Sequence, residues 1–408
     1  MNKLYKKTKE GQLHKSPQYY ISRYALATII QEYIAYKILD PYYLQFMTTS
    51  RGINLTAAQF GVFVAISNVA SAALDYLTGA MADKYGRCHI WAYSTFFYGG
   101  GMLWLAFSQS YFWSLPAAVC MGISYALASG SPQAWIYDEI KGDGLRRAVG
   151  YVYQIAVPAT LIGTGLGYAL GFFGSIRLPI IITGIIVISN GVFILTFRDN
   201  YADDHERKSW VSLLKTGFQQ FSSKPVLWLT ALQSLFYFLP SWICTAWWIT
   251  YLVDKFDVSS QFSSIAFGVV SLISSAAAGI IAHMKVPSMN RLIIVPTLLA
   301  VVAYAVIPSV NNVFLYIALI AVATTAGYFR GAGITVLENN EVDAARATAL
   351  SFMGSVRSLF WIIGPLIFGG IIDSIDFTNM FYLSSVACAA SLVILAFAIF
   401  FSKKEKKD

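Results

Sequence analysis

Charge is scarce in this chain. Aspartate, glutamate, lysine and arginine make up 12% of its 408 residues, against roughly 25% in soluble domains. With 57% of the residues hydrophobic, polar groups cannot cover the surface of a water-soluble fold, so lipid has to cover it. Cysteine is rarer still. Cys88, Cys120, Cys244 and Cys388 lie in or beside apolar segments without paired spacing, which argues against a disulfide framework or a zinc site. The four histidines are scattered, none at a metal-ligand spacing. P-loop, nucleophile-elbow and metal motifs are missing. Neither ATP hydrolysis nor other enzyme chemistry is expected, and the sequence calls for no cofactor and no metal. A cleavable signal is missing too, since the opening "MNKLYKKTKEGQLHKSPQ" is basic and polar with no apolar core behind a short basic start.

What the chain has instead is long apolar runs. Several, such as 178–197 and 381–401, exceed the roughly 18 residues needed to span a bilayer. The runs and their breaks predict twelve helices, over 20–46, 57–82, 88–108, 112–138, 146–171, 178–197, 225–253, 260–283, 291–308, 313–337, 346–371 and 377–401. An even number puts both termini on one side. With the termini cytoplasmic, 22 lysines and arginines fall on the cytoplasmic side and three (Arg51, Arg177 and Lys255) on the other, the bias that orients membrane proteins. The net charge of +8 is therefore read as orientation and lipid-headgroup contact, not as a nucleic-acid signal. The expected fold class is an all-α polytopic membrane protein. Its domains are a cytoplasmic tail (1–19), a six-helix bundle (20–197), a cytoplasmic linker (198–224), a second six-helix bundle (225–401) and a tail (402–408). Within the linker, Trp210, Leu213, Leu214, Phe218 and Phe221 recur at helical spacing. They read equally as an amphipathic helix on the membrane face or as one packed under the bundle.

The two halves echo each other about 200 residues apart. Gly79 matches Gly279, Asp138 matches Glu338, Arg146 matches Arg346, and Gly163 lies near the partner of Gly364. Between the second and third helices stands "GAMADKYGRC" (79–88), whose Gly79, Asp83, Lys84, Gly86 and Arg87 sit where an apolar run ends. This stretch resembles the signature loop of the major facilitator superfamily, Gly-x-x-x-Asp-Arg/Lys-x-Gly-Arg-Arg/Lys, departing from it at Cys88. Twelve spans, a central loop, cytoplasmic termini and the half-repeat extend the resemblance over nearly the whole chain. It implies two pseudo-symmetric six-helix bundles that rock about a midplane site and a secondary transporter acting as a monomer on a small molecule. Export is favoured over nutrient uptake by symport or uniport. A non-transporting receptor on the same fold is the remote alternative. The short loops suit a plasma membrane, a bacterial inner membrane in particular.

The resemblance also assigns roles. Gly79, Asp83, Gly86 and Arg87 belong to a cytoplasmic latch, and Asp138, Arg146, Glu338 and Arg346 read as gate charges or as solvated helix ends. Helices 1, 4, 7 and 10 line the central cavity in this family, which nominates Tyr33, Tyr36, Lys37, Tyr237, Trp242 and Arg330. A charge inside the bilayer costs about 2.5–3.5 kcal/mol on insertion scales and suggests function. Lys37 and Asp40 can neutralise each other at i,i+3. That leaves Glu32 at mid-depth as the first candidate for a coupling proton, a fixed structural pairing being the other reading. Asp75 is second, with a structural role open to it. Arg330 with Lys37 favours an anionic group on the substrate, or else Arg330 forms a buried structural pair. The aromatic seventh helix suits apolar or cationic ligands. Asn54-Leu55-Thr56 matches a glycosylation sequon, but Thr56 with Gln59 reads as a capping box opening the second helix. Helix 5 lacks the Gly-Pro pair of the family's antiporters, although "GPLIFGG" occurs at 364–370.

Overall fold

The computed structural model describes residues 5–7, 13–129, 131–132, 135–136, 140, 143–199, 219, 221–222, 224–283, 288, 290–341 and 346–405. A short antiparallel pair, β1 (Tyr5–Lys7) and β2 (Leu13–Lys15), precedes the helices. Twelve long helical segments follow among the described residues. The first, α1, comprises Pro17–Thr28 and Tyr36–Thr48, joined by a π-helical stretch, Ile29–Ala35. Then come α2 (Ala57–Tyr85), α3 (Arg87–Phe107), α4 (Tyr111–Ala128), α5 (Asp143–Gly171) and α6 (Arg177–Leu195). In the second half, α7 comprises Pro225–Trp242 and Trp248–Phe256 around a π-helical stretch, Ile243–Trp247. It is followed by α8 (Ser260–His283), α9 (π-helical Asn290–Ile294, then Val295–Val306), α10 (Val313–Glu341), α11 (Arg346–Ser374) and α12 (Phe377–Glu405). Among the described residues nine helices are long and apolar enough to cross a membrane.

Most helix ends fall within a turn of the expected ones. The fourth is interrupted, since α4 stops at Ala128 and residues 131–132 and 135–136 are helical again. The cause is local. Ser129 leaves the helical conformation for an extended one, ψ 104°, and Pro132 stands near the start of the helical residues that follow, where its missing N–H is tolerated. Of the linker helix expected over 210–221, all but Gln219 and Phe221 lies outside the described residues. Phe221 itself is buried against Trp228, with ring centroids 4.2 Å apart.

The chain divides into two compact units, Met1–Asn54 with Ile66–His205, and Leu55–Ala65 with Glu206–Asp408. In the first, α1 packs on α5 and α6, and α3 on α4 and α6. Its core gathers Tyr20, Trp91, Trp135, Ile194 and Phe197, with Trp135 stacked on Phe197 at 5.4 Å. In the second, α7 packs on α11 and α12, and α9 on α10 and α12, around Val226, Ile293, Ile334, Leu337 and Leu395. Large apolar side chains such as Ile162, Phe172, Val192, Phe314, Val386 and Phe400 remain exposed. So much apolar exterior fits lipid and not water.

Small residues set how closely helices approach in such bundles. A Cβ at Gly163 of α5 would stand 2.8 Å from the carbonyl oxygens of Tyr33 and Ile34. One turn on, Gly167 faces Ile38 and its carbonyl accepts a 2.8 Å hydrogen bond from the Tyr42 hydroxyl. The glycines thus seat α1 directly on α5. Gly163→Val should cost about 1–3 kcal/mol through overpacking. It should lower the thermal unfolding midpoint of detergent-purified protein, whereas Gly165→Val, with nothing within 4 Å of its Cβ, should not.

Candidate functional site

In the first unit, the polar residues of α1 gather around its π-helical stretch. Such stretches aim side chains away from the regular helical repeat and are frequent at functional sites. Glu32 lies in this stretch, is exposed, and makes no hydrogen bond or ion pair among the described residues. Lys37 Nζ stands 3.6 Å from Asp40 Oδ2, so that pair is closed within one turn. Tyr36 accepts a 2.9 Å hydrogen bond from Gln31 Nε2, and its ring lies 5.2 Å from that of Tyr98 on α3. Tyr98 in turn lies 6.2 Å from Tyr125 on α4. Tyr33 faces elsewhere, packed with Ala25, Ile29, Val152 and Ala159 toward α5. Asp75 is exposed on α2.

In the second unit, Arg330 of α10 is 5% exposed. Its Nη2 donates to Gln233 Oε1 and, at 3.0 Å, to Ser391 Oγ, and its guanidinium lies 3.5 Å over the Tyr237 ring. Nε has no hydrogen-bond partner, and no carboxylate pairs with this arginine among the described residues. Tyr237 also lines a cavity of about 390 Å³, with Ser241, Thr245, Thr324, Gly327 and Tyr328. Trp242 stands apart from that lining. It is 3% exposed, stacked on Phe60 at 6.2 Å and edge-on to Trp247 at 5.8 Å. Glu338 pairs with Arg357 of α11.

At the loop before α3, Gly86 has φ +102°, a conformation that favours glycine. The Asp199 carboxylate fills the space its side chain would take. That carboxylate accepts from Cys88 N at 2.8 Å and His89 N at 3.2 Å, and it touches His89 Nδ1. It therefore caps α3, where the helix dipole favours an anion. Arg87 is 8% exposed. The side chains of Gly79, Asp83, Arg146 and Arg346, and the whole of Asp138, lie outside the described residues.

Sequence reasoning missed Tyr98, Tyr125, Gln233, Ser391 and Asp199. The tyrosines read as ordinary residues of apolar helices, and only packing brings them to Glu32. Asp199 carried a signal, since a carboxylate just past the C-terminal end of a helix is unfavourable unless another helix receives it.

The sequence profile of the Major Facilitator Superfamily matches residues 19–359. The chain belongs to that superfamily, and its multi-pass architecture is that of a membrane transporter. No curated protein matches it by sequence. Among solved structures it is similar to an aspartate-to-alanine mutant of the nucleoside transporter NupG, at TM-score 0.80 and 14% identity over 92% of this chain and 99% of that one. It is also similar to a bacterial homolog of the human lysosomal transporter Spinster in an inward-facing, unoccupied conformation, at TM-score 0.70 and 17% identity over 95% and 96%. A D-xylose-proton symporter resembles it at TM-score 0.69 and 15% identity over 95% and 97%.

Asp199→Ala should cost about 1 kcal/mol, the usual value of a lost N-cap. Gly86→Ala should cost more, because it adds backbone strain and displaces the same carboxylate. Unfolding midpoints of the two purified variants, ranked wild type above Asp199→Ala above Gly86→Ala, would check this.

Proposed function

We propose that the chain is a proton-coupled secondary transporter that moves a small amphipathic organic molecule by alternating access, with Glu32 carrying the coupling proton. The observation that carries this reading is the isolation of Glu32. Among the described residues it is a carboxylate with no hydrogen bond or ion pair, in a π-helical break of α1 and beside the Lys37–Asp40 ion pair. A carboxylate whose surroundings alternate between burial and solute contact gains and loses its proton accordingly. Asp75, exposed on α2, is the second proton candidate. Arg330, with only neutral partners among the described residues, supports a solute bearing an anionic or zwitterionic group. In this reading Tyr36, Lys37 and Tyr237 contact solute, while Gly79, Asp83, Gly86, Arg87, Asp138, Arg146, Glu338 and Arg346 act at the cytoplasmic latch and gate. The protein works as a monomer in a plasma membrane with both termini cytoplasmic. Export remains the favoured direction. Uptake by proton symport is the second reading, and the likeness to a D-xylose-proton symporter speaks for it.

The test is solute-induced proton movement in liposomes, read by an internal pH dye, for wild type and Glu32→Gln side by side. Substrate-dependent flux in the wild type should fall at least tenfold in the variant, even at solute concentrations high enough to saturate its binding. Unchanged flux in Glu32→Gln would move the proton site, with Asp75 next. Solute uptake without proton movement would overturn proton coupling altogether.

A further inference from the structure

We propose that Tyr36, Tyr98 and Tyr125, together with the Glu32 carboxylate, form a binding site for an organic ammonium group. The inference rests on the transporter reading and names a substrate class for the Glu32 site. Three rings from three helices, α1, α3 and α4, stand 5.2 Å and 6.2 Å apart, tilted by 45° and 53°. At those tilts no face is covered by a parallel neighbour, so the rings present π surface at angles to one another, as recognition of a rounded cation requires. Tyr98, 5% exposed, forms the floor, and Tyr125, 43% exposed, an open wall. Glu32 supplies the negative charge. It stands four residues before Tyr36 on α1, about one turn away, and has no competing hydrogen bond or ion pair among the described residues.

The balance of charge supports the same ligand. Lys37 is paired with Asp40, so the three ionisable residues of this part of α1 sum to one negative charge when ionised, and Glu32 holds the surplus. A hard metal ion wants six or more oxygen ligands. Here one carboxylate stands among phenol rings, and the Tyr36 oxygen already receives the Gln31 amide. Alkylated ammonium groups need few hydrogen-bond acceptors and gain from aromatic faces, so they fit where a metal ion does not.

The experiment measures binding to the purified full-length protein at one fixed pH, so it needs neither transport nor coupling. Choline is titrated against its neutral isostere 3,3-dimethylbutan-1-ol by calorimetry. Choline should bind saturably and about tenfold or more tighter, since the two differ in charge and hardly in shape. Tyr125→Phe keeps the π face and should stay close to wild type. Tyr125→Leu removes the face, Glu32→Gln removes the charge, and each should weaken choline about tenfold. Unfolding midpoints check that the variants fold, and the isostere comparison stands on the unaltered protein if one does not. No saturable choline binding, equal binding of the isostere, or equal losses in Tyr125→Phe and Tyr125→Leu would each overturn the site. Choline binding without proton flux in liposomes would overturn the coupling reading and leave this one standing.

Discussion

A chain that crosses lipid has to find a partner for every backbone amide and carbonyl within the protein. This is why the places where the helices depart from regular geometry hold so many of the polar side chains. Both α1 and α7 carry a proline and a π-helical stretch. Around each break, side chains take up backbone oxygens. Gln45 Nε2 donates to Pro41 O at 2.7 Å, Tyr304 to Pro240 O at 2.8 Å and Tyr316 to Trp248 O at 2.7 Å. A π turn inserts an extra residue and re-aims those that follow. The breaks are also where Glu32 and Tyr36 in the first unit, and Ser241 and Thr245 in the second, reach open space.

The same constraint governs helix ends, where four amides of each N-terminus lack an intrahelical acceptor. For α2 the solution is shared. Thr56 and Gln59 close a reciprocal capping box at 3.1 Å and 3.2 Å. Asp373, at the C-terminal end of α11, accepts from Ala57 N at 2.7 Å and Ala58 N at 2.8 Å. A carboxylate at that end of its own helix opposes the dipole, and placing it on the positive end of another removes the penalty. Close approach is possible because Gly369 meets Ala57 O and Gly61 meets Pro365 O with no Cβ between them. Asp199 repeats the device on α3, with Gly86 as the residue that yields the space. An Asn312 cap on Phe314 and Leu315 is the lighter form of it.

Membership of the superfamily and the number and order of the helices were legible because they rest on long-range patterns of apolarity and charge that each residue carries by itself. So were the Lys37–Asp40 pair and the Thr56–Gln59 box, whose partners lie three residues apart. The π-helical breaks were not, since Ile29–Ala35 is as apolar and as regular in sequence as its flanks and the break is chosen by packing against α5 and α6. Nor was the company of each charge. Arg330 read as a cavity residue or one half of an ion pair, and it is held instead by Gln233, Ser391 and a tyrosine ring, from helices far away in sequence. Trp242 shows the limit of reading aromatics. Its face is spent on Phe60, a contact no spacing rule could suggest.

The charges inside the bundles fall into two kinds, and the difference separates structure from function. Lys37 with Asp40, and Glu338 with Arg357, are each neutral as a pair, so neither asks anything of a ligand. Glu32 and Arg330 are the other kind. One makes no ion pair, and the other has only neutral acceptors, an aromatic face and one idle donor among the described residues. An unbalanced charge in low dielectric is costly, and Arg330, 5% exposed, is such a charge. The cost is recovered only if something else completes the charge during the working cycle. In the reading proposed above, a proton or an ammonium group would complete Glu32 and an anionic group would complete Arg330. On that reading, solutes bearing such groups would bind with an electrostatic gain that neutral molecules of the same shape lack.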